Sequence, residues 1–165
     1  MGVKTRSFLK TENRDFNNIL DTVGGPQNVK SVNAATNLST DDCGTVILGV
    51  VGTEQAVGTG FNVNLPAPVR GAYFKFILAA PSIANNSNAA ITITTTSDGT
   101  TAANLGIGMV EGGAANEGAN VVSVADVVTF VHNKATAGDF AECVSDGTNW
   151  FFLIKYDADD SMTLA

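Results

Sequence analysis

Few side chains in this sequence are suited to catalysis or to metal binding. His132 is the single histidine among 165 residues, and a Ser-His-Asp site would need it as its base. The sequence contains no Gly-x-Ser-x-Gly elbow. The two cysteines, Cys43 and Cys143, stand 100 positions apart and lack the close ligand spacing of a zinc site. We therefore expect no catalytic residue, no metal site and no cofactor, and interpret His132 as a turn or edge residue.

Carboxylates are the next groups that could carry chemistry. Acidic residues cluster at positions 41–42 and 157–160, and oxygen-rich loops are the preferred environment of calcium. The second cluster lacks the mid-loop glycine and the closing glutamate of an EF-hand loop, so a solvated acidic tail is the plainer interpretation. Asp139 with Glu142 is a candidate glycosidase pair, but only the presence of two acids favours it.

Glycines and aromatic residues suggest two binding chemistries. Residues 106–108 (GIG) precede a strand-like stretch rather than a helix N-terminus, so the geometry that cradles a phosphate is not predicted. Tyr73, Trp150, Phe151 and Tyr156 are candidates for a platform on which a sugar ring could stack. Aromatic residues that alternate along strands belong more often to the core. Of these four, only Tyr73 and Phe151 are predicted to face away from it.

The charge balance limits the classes of partner. Nine lysines and arginines against 16 aspartates and glutamates give a net charge of −7 and a pI near 4.4. This balance argues against binding nucleic acid through its phosphates. Charged residues make up 15 % of the chain, below the quarter typical of soluble domains, which suggests that partners cover part of the surface. No apolar run approaches the ~20 residues of a membrane helix, and no membrane association is expected.

The cysteines bear on the compartment. No basic region followed by an apolar run opens the sequence, so no secretory signal is predicted and a reducing compartment is the default. Cys43 and Cys143 are therefore expected to be small buried side chains. A disulfide between them stays open as an alternative.

The N-terminal region differs from the rest in charge and in periodicity. Residues 1–30 carry 5 basic and 3 acidic side chains, a balance of +2, whereas the other 135 carry 4 and 13, a balance of −9. An amphipathic helix within residues 11–23 is predicted by apolar residues on one face: Phe16, Ile19, Leu20 and Val23. Such a short helix needs a surface to pack on. Residues 27–37 are polar and without period, which is typical of a linker.

From residue 38 onward the apolar pattern has a period of two, which indicates strands. Nine short segments separated by Gly, Asn, Asp and Ser are predicted strands: residues 45–51, 61–65, 73–78, 91–95, 105–110, 121–124, 127–131, 140–144 and 150–156. Asp146-Gly147 predicts a type I′ turn between the last two. The expected fold is all-β, an antiparallel, jelly-roll-like sandwich of about eight or nine strands. Residues 1–37 would form a helical arm and linker, 38–156 the sandwich and 157–165 an acidic tail.

Three stretches carry a likeness to a known family. They are residues 38–46 (LSTDDCGTV), residues 61–77 (FNVNLPAPVRGAYFKFI), and the closing segments at 127–131 (VVTFV), 137–139 (AGD) and 144–150 (VSDGTNW). Together they span about residues 38–154. In these stretches the chain resembles a recurring module of tailed-bacteriophage virion proteins, found in head decoration (cement or knob) proteins and in fibres. Cys43 stands where that module usually has serine.

The resemblance implies a structural role without enzymatic activity. It predicts a β-sandwich that is made in the host cytoplasm, assembles as a homotrimer and binds the major capsid protein on the outer surface of the virion. The basic bias of the N-terminal region suits docking on an acidic capsid lattice. The candidate docking residues are the apolar side chains of the arm: Phe8, Leu9, Phe16, Ile19 and Leu20. The alternative is a fibre or knob module that binds host-surface glycan.

Overall fold

The computed structural model describes residues 28–49, 60–79, 90–112 and 120–165. The predicted helix within residues 11–23 lies outside the described residues. The same holds for all five candidate docking residues: Phe8, Leu9, Phe16, Ile19 and Leu20. Within the described ranges, no helix is long and apolar enough to cross a membrane.

The described part of the chain is all-β, as predicted, with a single 3-10 turn at Thr40–Asp42. All nine predicted segments contain strands, and three strands were not predicted, which gives twelve in total. They are β1 Val29–Val32, β2 Thr36–Asn37, β3 Val46–Gly49, β4 Phe61–Asn64, β5 Tyr73–Leu78, β6 Ile91–Thr94, β7 Gly106–Gly112, β8 Asn120–Ala125, β9 Val127–Phe130, β10 Phe140–Ser145, β11 Trp150–Tyr156 and β12 Met162–Leu164.

The strands form two sheets. The seven-stranded sheet has the order β1-β3-β5-β10-β11-β7-β8, and the five-stranded sheet the order β12-β9-β6-β4-β2. Neighbours are antiparallel in five pairings and parallel in the other five, namely β1 with β3, β3 with β5, β7 with β11, β2 with β4 and β4 with β6. The prediction of an antiparallel arrangement was therefore wrong for half of the pairings. A period of two shows which face a residue occupies, but not the direction of the neighbouring strand.

The parallel pairs come from a winding path. Between residues 29 and 94, successive strands alternate between the two sheets, and each new strand lies parallel beside the previous one of its own sheet. A parallel neighbour requires the chain to return to the same end of the sheet before it re-enters. Here the return runs through the opposite sheet, so each turn of the winding contains one strand of each sheet. The six strands β1 to β6 thus make three turns.

The two sheets share one hydrophobic core. Buried side chains of β3, β5, β10 and β11 belong to the same cluster as those of β4, β6, β9 and β12. The rings of Phe74 and Trp150, both fully buried, lie 5.7 Å apart. A Cβ atom at Gly49 would come within 2.9 Å of Ile91 Cδ1. Since these two residues belong to different sheets, glycine permits the close approach of the sheets at this point.

The three unpredicted strands correct the expected boundaries. Residues 27–37, predicted as a linker, contain β1 and β2, and each is an edge strand of its sheet. Residues 157–165, predicted as a solvated tail, contain β12, which pairs antiparallel with β9. Met162 and Leu164 in β12 are buried in the core. β2 and β12 are too short for a periodic pattern to reveal them, and in β1 (VKSV) the two valines stand three positions apart, which is not the period of a strand.

Candidate interaction surface

The side of the seven-stranded sheet that faces away from the core is apolar across its width. We call this side the outer face. Along β5 the inward residues are buried and the outward ones partly exposed, and the same alternation holds along β10. Strand register places Tyr73, Val144, Phe151 and Ile107 in one row across four strands. A second row, two residues further along, consists of Val46, Lys75, Glu142, Leu153 and Met109.

Exposed large apolar side chains concentrate on this face. Of the six such residues in the described ranges, five belong to strands of the seven-stranded sheet: Val29, Met109, Val124, Val144 and Phe151. Val29 is 60 % exposed and Val124 is 64 % exposed, and they lie on the two edge strands, β1 and β8. The sixth, Val69, lies in the loop before β5. Exposed apolar residues that form a contiguous patch mark an interaction surface, whereas scattered ones do not.

A shallow depression of about 260 Å³ lies near the centre of the outer face. Tyr73 and Phe151 stand on either side of Val144, their neighbour in β10, and Glu142 and Leu153 complete the outward lining. Burial raises the pKa of Tyr73, and the nearby negative charge of Glu142 raises it further. The prediction that Tyr73 and Phe151 face away from the core is confirmed. Trp150, by contrast, is a core residue, and Tyr156 packs against the core.

The ionic groups on the outer face neutralise one another. Lys75 Nζ lies 2.6 Å from Glu142 Oε1, and Lys155 Nζ lies 3.0 Å from Glu111 Oε2. Lys75 Nζ also lies 4.8 Å from the ring centroid of Phe140, a cation–π contact. These four residues, on the central strands β5, β10, β11 and β7, therefore add no net charge to the outer face of a chain whose net charge is −7.

The candidate glycosidase pair does not share a site. Glu142 lies on the outer face in its ion pair with Lys75. Asp139 is buried, and its carboxylate accepts four hydrogen bonds. The donors are Thr136 N–H at 2.9 Å, Thr136 Oγ1 at 3.3 Å, Asp157 N–H at 3.1 Å and Ser161 Oγ at 3.0 Å. Asp139 thus joins the turn before β10 to the segment between β11 and β12, which is a structural task.

The two Ser-Asp-Gly-Thr segments of the chain are equivalent turns. In each, the aspartate Oδ1 accepts hydrogen bonds from the N–H groups two and three positions further on, and these bonds hold the pKa of Asp98 and of Asp146 below the usual range. Gly99 and Gly147 both have positive φ, 89° and 98°. The predicted β10–β11 hairpin is confirmed. The type I′ prediction was wrong, because four residues, 146–149, form the connection and Asp146 does not have a positive φ.

The other candidates from the sequence occupy several places in the fold. His132 is partly buried in the turn that follows β9. Cys143 is buried as predicted, and burial raises the pKa of its thiol. Cys43 is exposed, contrary to prediction, and its Sγ accepts a hydrogen bond from Tyr73 N–H at 3.2 Å. Both thiols are free. In the acidic segment after β11, Asp160 pairs with Lys134 at 3.2 Å, and the described residues contain no cluster of three or more metal-ligating side chains.

The outer face was only partly visible in the sequence. Its signal in the sequence is a strand with apolar residues on both faces, as in residues 73–78 and 150–156. The register that joins these residues into one surface depends on the order of strands in the sheet. No protein-family model, curated protein or solved structure matches the chain in sequence or fold comparisons.

Proposed function

We propose that this protein is a non-enzymatic virion structural protein, a capsid decoration (cement) protein of a tailed bacteriophage. It would form a homotrimer, bind the major capsid protein on the outer surface of the head and stabilise the capsid. The observation that supports this proposal best is the apolar outer face, where five of the six exposed large apolar side chains in the described ranges are found. A surface of this kind suits a subunit that is buried in an assembly.

The physical basis of stabilisation is preferential binding. A protein that binds the assembled head, and not its dissociated subunits, shifts the equilibrium towards the assembled state by mass action. Many modest contacts repeated over the shell suffice. In this proposal the two sheets, which share one core, are the layers of a β-sandwich. The jelly-roll likeness is retained only for the double-sheet arrangement, because half of the strand pairings are parallel.

The N-terminal arm would supply the contact with the capsid. Its candidate docking residues remain those of the amphipathic segment and the residues before it, namely Phe8, Leu9, Phe16, Ile19 and Leu20. The balance of +2 over residues 1–30 would favour an acidic lattice. A variant without residues 1–27 should lose head binding and remain a trimer, with the mass of three shortened chains. Head binding at unchanged affinity would contradict this assignment of the arm.

A second candidate function is glycan binding by a fibre or knob module. The specific observation in its favour is the depression in the outer face, where Tyr73 and Phe151 flank Val144 and the carboxylate of Glu142 lies alongside. Aromatic faces stack on sugar rings, and a carboxylate accepts hydrogen bonds from sugar hydroxyls. This function would place the module at a fibre tip.

Two measurements separate the candidates. Light scattering on the purified chain should give about 51 kDa, three times the 17.0 kDa of one chain, if the assembly is a trimer. Cosedimentation with undecorated heads of the parent phage should then remove the protein from the supernatant. A trimer that does not sediment with heads but binds a glycan array would favour the fibre module. A monomer that binds neither would contradict both candidates.

A further inference from the structure

We propose that the outer face of the seven-stranded sheet is the contact between copies of this chain, and not the contact with the capsid. The inference rests on the proposed function only in assuming that the protein works in an assembly. The partner that covers the outer face is a second copy of this chain. The capsid contact would then be made elsewhere on the protein.

Charge is the first argument for a second copy. Two copies with a net charge of −7 each repel one another unless the surfaces that meet are close to neutral. On the outer face, Lys75 with Glu142 and Lys155 with Glu111 are ion pairs within one chain. A second copy that approaches this face therefore meets no net charge from these four residues. A basic partner would find no unpaired acidic residue among these four to bind.

Size is the second argument. Seven strands spaced by ~4.8 Å span about 29 Å between the outermost strand axes, and six residues at ~3.3 Å each extend about 20 Å along a central strand such as β10. The resulting area of roughly 600 Å², before side-chain relief is counted, approaches the ~800 Å² that each partner buries in a stable interface. The exposed large apolar side chains of the described ranges also concentrate on this face, as is typical of the core of an interface.

Shape is the third argument. Self-association at a flat surface is strongest where an apolar side chain of one copy enters a recess of the other. The depression lined by Tyr73, Val144 and Phe151 provides such a recess. Val124 and Val29 protrude from the two edges of the same sheet. The depression and the exposed edge valines occupy different places on the subunit. In a closed ring of more than two copies, one patch of each subunit meets a different patch of the next.

The test compares two lysine substitutions that differ only in position. Val144 is 45 % exposed at the centre of the outer face, and Val69 is 47 % exposed in the loop before β5. V144K would place an ammonium group in the proposed contact, and V69K is the matched control. Self-association of full-length protein is measured by sedimentation equilibrium from roughly 1 to 100 µM. Fluorescence of Trp150, the single tryptophan, reports whether each variant is folded.

We expect the wild type and V69K to associate equally, and V144K to associate at least about 30-fold more weakly. F151S, which shortens a second exposed side chain of the same face, should also weaken association and serves if V144K does not fold. A wild type that is monomeric throughout the concentration range would overturn the inference. Equal association of V144K, F151S and V69K would overturn it as well.

Cosedimentation with heads separates this inference from the proposed function. If the wild type associates through the outer face but does not bind heads, the inference stands and the decoration function fails. If the wild type is monomeric and V144K alone loses head binding, the face belongs to the capsid contact, and the inference fails while the function stands.

Discussion

The buried carboxylate of Asp139 offers a direct test of how the turn before β10 is held to the segment between β11 and β12. Its two oxygens accept four hydrogen bonds from N–H and O–H groups of Thr136, Asp157 and Ser161, two at each oxygen. Asp139→Asn replaces one oxygen with an amide NH2, which cannot accept the two hydrogen bonds directed at it. Each lost hydrogen bond to a charged acceptor costs about 1.5 kcal/mol or more, so the substitution should lower the free energy of unfolding by about 2–4 kcal/mol.

Urea unfolding followed by Trp150 fluorescence measures this change, because the single tryptophan lies in the core that both sheets share. Asp159→Asn is the matched control, since Asp159 is exposed in the same segment after β11. The control should shift the free energy of unfolding by less than about 0.5 kcal/mol. If Asp139→Asn unfolds at the same urea concentration as the control, Asp139 does not join these segments and the structural interpretation of its carboxylate is refuted.

Three further predictions concern individual side chains. Cys43 should react with a thiol reagent in the native state, whereas Cys143 should react only on unfolding, because it is buried and its pKa is raised; equal rates in a timed labelling experiment would contradict this. The pKa of Asp98 is lowered by hydrogen bonds from backbone N–H groups, so its contribution to stability is present above its ordinary value of 3.8 and is lost as the pH falls through the lower, folded value. Carboxyl NMR should find Asp98 still ionised at pH 3.8, the ordinary pKa of an aspartate side chain. Trp150→Phe removes the indole Nε1, a buried donor without a partner in the described part of the chain. The substitution should therefore lower the free energy of unfolding by less than the roughly 3–5 kcal/mol expected for Trp150→Ala, as measured by circular dichroism in urea. A cost for Trp150→Phe that equals the cost for Trp150→Ala would show that the indole nitrogen contributes to stability.

Local pattern was sufficient to locate most of the strands. The alternation in residues 73–78 and 150–156 predicted β5 and β11 with their observed bounds, and it predicted that Tyr73 and Phe151 face away from the core. These predictions succeed because the side-chain period of a strand is a property of the strand itself. The position of the turn at Asp146, though not its type, was predicted because an aspartate followed by glycine bonds to its own backbone.

Strand direction and the short strands were decided only in the tertiary structure. β2 and β12 have two and three residues, too few to show a period, and the two valines of β1 stand three positions apart, which is not a strand period. These strands form because a neighbouring strand offers unpaired backbone groups. The parallel winding of the first six strands depends on where the chain re-enters each sheet. No local propensity encodes that choice, which is why the antiparallel prediction was wrong for half of the pairings.

The same division applies to the outer face. The sequence by itself determined that the chain is β-rich, acidic and low in charge, and that Tyr73 and Phe151 face away from the core. Tertiary structure decided that Val144 lies between them and that Lys75 lies beside Glu142, although 67 positions separate these two charges in the chain. A surface patch is a sum over strands that are distant in sequence. Its existence therefore depends on register and strand order, which long-range packing sets.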